Sequence, residues 1–401
     1  MYMRYDHNPF IIPVCFLFDQ AMIKQIINKN RNKVDRIFLF TVIVLSVYGT
    51  AAIFSAGYAY AEFRYSNAYY FIQRQSIWLI LGILVMLFST RLDTAILKKL
   101  TPLAYFVTLL LLVLTLAIGF VGNGAKRWIS IGPLTIQPSE IAKLTMVMML
   151  AKYFSDFEEK CTLRDNKNVF FYGTLYPTVI MIIPILMIML QKHLSCIIIL
   201  GTIGILLIIS AGAGLKYIGA AAGIGGAGVC FIAFFTDYTK DRITVWLDPE
   251  KYKLTGGWQT LQGLMAIGSG GFFGKGYGKG ELKYCYVSEP ANDMIFAIVC
   301  EELGFLGAFL ILILFGILIF NGFSIALATN NTYDRLLALG IIMKVAVQTL
   351  LNIAVVTNTI PNTGISLPFF SYGGSSLLML FFEMGIILSI SAKGKKRAKE
   401  V

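Results

Sequence analysis

The sequence predicts an all-α membrane protein that crosses the bilayer about ten times. Apolar residues make up 57% of the 401 residues, whereas charged residues reach only 14%, against roughly a quarter in an average soluble domain. The apolar residues also occur in blocks that approach the length of about 20 residues needed for a helical span. A soluble chain of this composition would lack the polar groups to cover its surface.

Ten apolar runs predict the spans, and a long connection separates the seventh from the eighth. The runs are 35–57, 74–90, 98–121, 138–154, 169–190, 194–211, 216–235, 293–320, 335–357 and 375–392. An even number of spans places both ends of the chain on one side of the membrane. We therefore predict a membrane domain over 34–392, preceded by an extension over 1–33 and followed by a basic tail over 393–401.

The formal charge of +12 indicates a membrane orientation rather than binding to nucleic acid. Its basic residues gather at the two chain ends, where such clusters mark the cytoplasmic side and contact anionic lipid. The short connection with Arg91, Lys98 and Lys99 falls on the same side. We predict that both termini are cytoplasmic. The end clusters are Lys24, Lys29, Arg31, Lys33, Arg36, Lys393, Lys395, Lys396, Arg397 and Lys399.

The long connection over 236–292 is predicted to lie outside the cell and to be functional, because loops of this length are uncommon in compact proteins. Its glycine-dense stretch from Gly268 to Gly280 allows two interpretations. It forms flexible turns, or it turns backbone amides toward a phosphate. No Gly-Lys-Ser/Thr pattern is present, which favours turns. The six cysteines show no metal-ligand spacing and are predicted to be small core residues.

Ionisable residues inside the spans predict a polar interior, because such residues face a cavity or pair with one another. Glu140 and Lys143 lie three residues apart on one helical face, close enough to pair. A structural ion pair and a cavity wall are equally compatible with this spacing. A polar stripe and three acidic residues extend the pattern: Lys344, Gln348, Asn352, Glu301, Glu302 and Glu383. Together they fit a transporter or an enzyme that acts on a lipid-anchored substrate.

Asp293 lies where the outer loop enters the eighth predicted span. A carboxylate at this boundary is placed for general-base chemistry on a lipid headgroup. Aspartate is also a favoured residue at a helix N-cap. The residues alone favour the cap.

Three separated motifs give the sequence a resemblance to the shape, elongation, division and sporulation (SEDS) family. Residues 124–129 (GAKRWI) with 137–144 (QPSEIAKL) resemble its signature before the fourth span. Residues 268–276 (GSGGFFGKG), 292–296 (NDMIF) and 301–304 (EELG) resemble its outer loop and eighth span. Residues 361–376 (PNTGISLPFFSYGGSS) resemble its loop before the last span. The residue pattern of this loop is more similar to the division branch, FtsW, than to the elongation branch, RodA. The similarity extends from about residue 35 to 392.

The resemblance implies a ten-helix peptidoglycan glycosyltransferase that polymerises lipid II at the outer membrane face and pairs with a class B penicillin-binding protein. Asp293 corresponds to the family's essential aspartate, and we predict that it acts as the base. Arg127, the loop lysines or a divalent cation (Mg²⁺ or Mn²⁺) would offset charge on the leaving diphosphate. The residues predicted to bind substrate are Lys126, Arg127, Trp128, Glu140, Lys143, Lys275, Lys283, Lys344, Ser371 and Ser375.

One departure from the family pattern keeps other functions open. Where the family usually reads Gln-Pro-Asp-Leu-Gly, this chain has residues 191–195 (QKHLS), so that His193 replaces an acidic residue. One alternative is a lipid II flippase, which would use the polar interior as a path across the bilayer. A second is a non-catalytic scaffold that activates its penicillin-binding partner. The motifs do not decide between roles in division, elongation and sporulation.

Overall fold

The computed structural model describes residues 20–122, 125–131, 134–158, 170–212, 237–284 and 286–399. These residues are predominantly helical. The helices are α1 (Gln20–Tyr65), α2 (Tyr70–Ser89), α3 (Thr94–Ile118), α4 (Pro138–Asp156), α5 (Tyr176–Leu190, after a π-helical turn at Phe171–Leu175), α6 (Leu194–Ser210), α7 (Asp237–Leu247), α8 (Gly257–Ser269), α9 (Ile295–Leu327), α10 (Thr332–Val356) and α11 (Gly374–Lys399).

Nine of the ten predicted spans coincide with helices. Seven described helical segments are long and apolar enough to cross a membrane, which confirms a multi-pass membrane protein. The predicted span over 216–235 lies outside the described residues, so the count of ten stays a prediction. The first helix begins at Gln20, inside the predicted N-terminal extension, and its membrane segment begins at Asp35.

Helices α1, α4, α9, α10 and α11 form the centre of the described fold. α10 packs against α4, α6 and α9, while α11 packs against α2, and α1 against α9. The large buried side chains Phe38, Phe154, Phe315 and Tyr333 come from four of these helices. Peripheral α2 and α3 instead expose leucines and isoleucines, as expected for lipid-facing helices whose apolar surface needs no protein cover.

A small antiparallel sheet between α3 and α4 was not predicted. It consists of β1 (Phe120–Gly122), β2 (Ala125–Ile131) and β3 (Leu134–Ile136), in the order β1-β2-β3. Phe120 pairs with Trp128 across one ladder, and Ile129 with Ile136 across the other. Strands of three residues are too short to show an alternating pattern. The sheet carries residues 125–129 of the first family motif, and α4 carries its second part from Pro138 onward.

The predicted outer loop is folded and reaches into the helical bundle. It contains α7 and α8, and residues 271–276 hydrogen-bond to the backbone of residues 301–306 of α9. The amide of Gly276 donates to Glu302 O at 2.8 Å, and the amide of Phe305 donates to Gly271 O at 2.9 Å. These bonds satisfy groups that α9 loses where Gly304 adopts φ +64°. The predicted glycine turns are present, with Gly271, Gly274, Gly276 and Gly278 at positive φ, and these hydrogen bonds fix the segment against α9. That the loop lies outside the cell stays a prediction.

The ends of the membrane domain meet on one face. Ser391, near the end of α11, donates to Asp35 at the start of the first membrane segment. Lys393 Nζ lies 2.9 Å from Asp93 Oδ1 in the α2–α3 connection. These contacts agree with an even number of spans. Of the cysteines, Cys196 and Cys300 are buried thiols, as predicted, and the other four lie outside the described residues.

Candidate functional site

A cavity of about 430 Å³ opens between the sheet, the helical bundle and the two connections that precede α9 and α11. It brings together residues from all three family motifs, which are far apart in the sequence. The residues that carry its polar and aromatic groups are Arg74, Trp78, Phe120, Arg127, Trp128, Thr135, Gln137, Glu140, Lys143, His193, Ser195, Glu289, Asn292, Asp293, Gln348, Ser366, Ser371, Tyr372 and Ser376.

Asp293 lines this cavity and does not cap α9. The N-cap residue of α9 is Met294, and no side chain makes a capping hydrogen bond there. Within the described structure the Asp293 carboxylate accepts no hydrogen bond, although its own backbone carbonyl does. Burial, reinforced by Glu289, raises the pKa of Asp293 to about 6, against the opposing effect of Arg242 and Arg127. A carboxylate without a partner and with this pKa is suited to accept a proton near neutral pH.

Glu140 and Lys143 form the predicted pair on the first turns of α4. Lys143 Nζ lies 2.7 Å from Glu140 Oε1, and both side chains are almost fully buried. Pro138 begins the helix, at a position where its missing N–H costs no helical hydrogen bond. Lys143 also contacts Gln348 Oε1 at 3.3 Å. Both members line the cavity, so the pair is at once a structural ion pair and part of the cavity wall.

Strand β2 delivers Arg127 and Trp128 to the cavity, while the neighbouring Lys126 stays outside it. Arg127 also donates to the backbone carbonyl of Lys192, which ties the sheet to the α5–α6 turn. Lys126 is exposed, and its ammonium lies 3.4 Å from the carbonyl of Leu116. Of these three predicted substrate-binding residues, the structure therefore places two at the cavity.

Three predicted substrate-binding lysines are engaged elsewhere. Lys275 pairs with Glu301 at 2.9 Å and Lys283 with Glu302 at 2.7 Å, while Lys344 lies 2.7 Å from a carboxylate oxygen of Glu383. Each acidic partner is fully or almost fully buried, and leaving such a carboxylate without a counter-ion would cost several kcal/mol of stability. None of the three lysines lines the large cavity. The intramembrane acids Glu301, Glu302 and Glu383 are likewise paired rather than cavity-lining.

The connection over 361–373 closes one side of the cavity. Ser371 and Ser376 line the cavity, whereas the hydroxyl of Ser375 is buried without a partner in the described structure and does not line it. Gly374 stands where a Cβ atom would lie 2.2 Å from the Trp78 ring. This glycine allows the start of α11 to approach α2 closely.

Sequence reasoning missed Arg74 and Trp78, which reach the cavity from α2. Arg74 stands over the ring of Tyr70 at 4.4 Å, an arrangement that orients its guanidinium. The available signal was an arginine at the very start of a predicted span, where the default expectation is a functional or interfacial residue. The sequence analysis did not use that signal, so it identified only Arg127 of the two arginines that line the cavity.

His193 lines the cavity at the N-terminus of α6. Its Nδ1 lies 3.4 Å from the hydroxyl of Ser139, and the ring is mostly buried. Burial, helped by Arg127 and Lys143, lowers the pKa of His193 to about 3. The imidazole is therefore neutral at physiological pH. Replacing an acidic residue with this histidine removes one negative charge from the wall that an anionic substrate would meet.

The whole described membrane domain matches a single family model. The FtsW/RodA/SpoVE model, described as a cell cycle protein, matches residues 35–396. The chain belongs to this family. It is similar to stage V sporulation protein E of Bacillus subtilis (strain 168), with 36% identity over 359 residues that cover 89% of this chain and 96% of that protein.

Further members of the family give the same picture. A probable peptidoglycan glycosyltransferase FtsW of Trichlorobacter lovleyi is 35% identical, over 89% of this chain and 93% of the relative. Among solved structures, a chain of a peptidoglycan synthase complex that coordinates polymerization and crosslinking aligns with a TM-score of 0.73 at 26% identity, covering 89% of this chain and 97% of that one. The rod shape determining protein RodA of Thermus thermophilus aligns with a TM-score of 0.65 at 26% identity, over 89% and 96% of the two chains.

Proposed function

We propose that this protein is a peptidoglycan glycosyltransferase that polymerises lipid II into β-1,4-linked glycan at the outer face of the bacterial cytoplasmic membrane. One observation carries the proposal. The carboxylate of Asp293 is free of hydrogen bonds within the described structure, and it lines a cavity that also holds Arg74, Arg127 and Lys143. A base beside fixed positive charges is what transfer from a sugar diphosphate requires. The names of the relatives support this assignment.

The residues have separate tasks in the proposed transfer. Asp293 accepts the proton of the acceptor hydroxyl as that oxygen bonds to the anomeric carbon of the donor. The bond from that carbon to the diphosphate breaks, the leaving oxygen keeps the electron pair, and the configuration inverts. Arg74 and Arg127 stabilise the charge that develops on the diphosphate. A separate protein acid is unnecessary because diphosphate is already a good leaving group, unlike the alcohol that glycosidases must protonate.

A divalent cation remains part of the proposal only as a companion of the substrate. Within the described residues, no group of three or more His, Cys, Asp or Glu side chains could hold a metal ion. The protein side chains there do not form a resident metal site, so we assign no step to a cation. A cation that binds with the diphosphate would find the carboxylates of Asp293 and Glu289 on the cavity wall.

The partner and the orientation are also proposed. The similar peptidoglycan synthase complex couples polymerization to crosslinking, and we propose a class B penicillin-binding protein as the partner of this chain. We further propose that both termini are cytoplasmic, because the basic residues predicted to lie inside sit at the chain ends and beside the α2–α3 connection. The cavity then opens toward the outer leaflet.

The test is glycan synthesis by the purified protein with its partner and labelled lipid II, resolved as chain ladders on a gel. Asp293→Asn should abolish the ladders, with a rate loss of about 10² to 10⁴, because the amide cannot accept the acceptor proton. Glu250→Gln is the matched control, since this exposed outer-loop carboxylate lies outside the cavity. The control should make ladders at the wild-type rate.

Other outcomes identify the alternatives. Transbilayer movement of lipid II by the wild type without ladders would indicate a flippase. Enhanced crosslinking by the partner without ladders would indicate a scaffold. Near-full polymerisation by Asp293→Asn would refute Asp293 as the base and direct attention to Glu289, the other outer-loop carboxylate on the cavity wall.

A further inference from the structure

Three consecutive peptide carbonyls of the segment that carries Asp293, those of residues 291–293, accept hydrogen bonds from other parts of the chain. The backbone amide of Tyr372 donates to the first carbonyl at 2.9 Å. The hydroxyl of Ser371 donates to the second at 2.9 Å, and Asn352 Nδ2 donates to the third at 3.0 Å. All three donors are more than 50 residues away in the sequence. The position of Asp293 therefore depends on α10 and on the connection before α11.

Asn352 has a special place among these donors because it holds two segments at once. Its Nδ2 also donates to the carbonyl of Ile365 at 2.6 Å, and the side chain is completely buried. Both neighbours are carbonyl oxygens, which only accept hydrogen bonds, so the surroundings fix the orientation of the amide group. One side chain thus joins the backbone of Asp293 to the backbone of the connection over 361–373.

That connection lies directly against the Asp293 carboxylate. Gly364 has φ +70°, and a Cβ atom on it would lie 3.0 Å from Asp293 Oδ2. The amide of Gly364 donates to Asn362 Oδ1 at 3.1 Å, which stabilises this turn. Because residue 364 has no side chain, the turn can flank the carboxylate without displacing it. The amide of Asn352 holds the adjacent residue, Ile365, in place.

We propose that Asn352 is a positioning residue for the base: its side-chain amide fixes both the backbone of Asp293 and the turn that flanks the Asp293 carboxylate. Asn352 does not line the cavity, so it acts through Asp293 and not on the substrate. This inference rests on the proposed function, because positioning matters only if Asp293 takes part in catalysis.

The expected effect is a loss of turnover with little loss of substrate binding. Without the amide donors, the carbonyls of Asp293 and Ile365 lose these hydrogen bonds, and the 291–293 segment and the 361–373 connection are free to separate. A displacement of about 1 Å at a reacting group costs roughly 100-fold in rate. The groups proposed to bind the diphosphate, Arg74 and Arg127, do not touch Asn352 and keep their positions.

The experiment compares Asn352→Leu, which keeps the shape but removes both donors, with Thr349→Val as the matched control. Thr349 lies one turn earlier on α10, is buried, and bonds only to the backbone of its own helix. Polymerisation rates are measured against lipid II concentration with the partner present. Asn352→Leu should lower kcat by about 10- to 100-fold with KM within a factor of about three, and Thr349→Val should match the wild type.

Hydrogen exchange supplies a readout that does not depend on activity. In Asn352→Leu, the amides around 291–298 and 364–372 should exchange faster than in the wild type and in Thr349→Val. Wild-type kcat in Asn352→Leu would overturn the proposal, whatever the exchange rates. If Asn352→Leu does not fold, Asn352→Ser replaces it, because the shorter side chain cannot reach both carbonyls.

The two failures are distinguishable. If the wild type and the control make no glycan, the proposed function fails. Unchanged exchange in Asn352→Leu would then also overturn the structural part of this inference. If the wild type polymerises lipid II and Asn352→Leu does so equally well, the positioning role fails alone.

Discussion

At the scale of single residues, four buried glutamates of the described structure differ from Asp293 in having a lysine partner. Glu140, Glu301, Glu302 and Glu383 each have a lysine partner within 3 Å. Asp293 is mostly buried and lacks a hydrogen-bonding partner within the described structure. A group kept in this condition costs folding stability, and such a cost is typical of functional sites. The cost gives a way to distinguish a base from a structural residue.

The pH dependence of Asp293 follows from its raised pKa. Burial and Glu289 raise the pKa from the ordinary 3.8 to about 6, while Arg242 and Arg127 oppose them. Activity should therefore increase as the pH rises through about 6, where the carboxylate forms. Stability changes in the opposite direction: the folded state binds the proton more tightly, so ionisation costs stability as the pH rises from about 4 to 6. The full cost at neutral pH is at most about 3 kcal/mol.

Asp293→Asn should accordingly be inactive and yet melt at a higher temperature than the wild type at pH 7.5. The difference in Tm should shrink as the pH is lowered toward 4, where the wild-type carboxyl is also neutral. Thermal unfolding of both proteins in the same detergent, over pH 4 to 8, measures this. A variant that is less stable than the wild type at pH 7.5 would contradict an unpaired, ionised Asp293.

At the scale of elements, α9 depends on the segment that packs against its break. Glu302 accepts hydrogen bonds from Lys283 Nζ at 2.7 Å, from Ser55 at 2.6 Å and from the amide of Gly278 at 3.1 Å. The cluster therefore joins α1, α9 and the glycine-rich segment. Gly304 produces the break itself, because a Cβ atom there would lie 2.3 Å from the amide nitrogen of Gly274. The Lys283–Glu302 ion pair therefore holds the glycine-rich segment beside the part of α9 that lacks its own hydrogen bonds.

Lys283→Met should destabilise the protein by about 3–5 kcal/mol, because it leaves Glu302 buried without its counter-ion. Adding Glu302→Gln to Lys283→Met should recover part of the loss, since the double variant buries no uncompensated charge. Tm in detergent measures both. Lys279→Met is the control: this exposed lysine of the same segment has no ion pair among the described contacts, and its loss should leave Tm unchanged. Equal Tm values for Lys283→Met and the control would disprove the structural role of the pair.

At the scale of the whole molecule, hydropathy located the nine described helices that coincide with predicted spans, because in a bilayer an apolar run of span length must satisfy its backbone groups internally, as a helix does. It did not locate α7 and α8 in the predicted outer loop. The three-residue spacing also predicted the Glu140–Lys143 pair, since spacing on a helix determines which side chains meet. The sheet over 120–136 was not predicted, because two of its three strands have only three residues and are too short to show an alternating pattern. Sequence spacing was therefore sufficient to predict a contact when both residues lie on the same helix.

Contacts between segments that are distant in the chain could not be predicted from the sequence. Lys275 and Lys283 looked like ligands for a phosphate, but their partners, Glu301 and Glu302, lie about 20 residues further along. Which lysine meets which carboxylate depends on the fold of the intervening chain. For the same reason, the donors to the carbonyls of residues 291–293 could not be predicted from the sequence.

The orientation of the whole molecule yields the last prediction. Helix α11 begins at Gly374 beside the cavity, and Lys393, near its other end, pairs with Asp93. At 1.5 Å per residue, those ends are about 30 Å apart, the thickness of a bilayer core. The cavity and the α2–α3 connection therefore lie at opposite faces. The basic residues at the second face predict that it is cytoplasmic.

Labelling with a membrane-impermeant maleimide tests this orientation in a variant whose six native cysteines are replaced. Leu254→Cys, in the outer loop, should react in intact spheroplasts, because Leu254 is 87% exposed. Arg91→Cys, in the exposed α2–α3 connection, should react only after the membrane is permeabilised. Reaction of Arg91→Cys in intact spheroplasts would show that the orientation is the reverse of the predicted one. The cavity would then lie on the cytoplasmic side, where the outer leaflet would not supply its substrate.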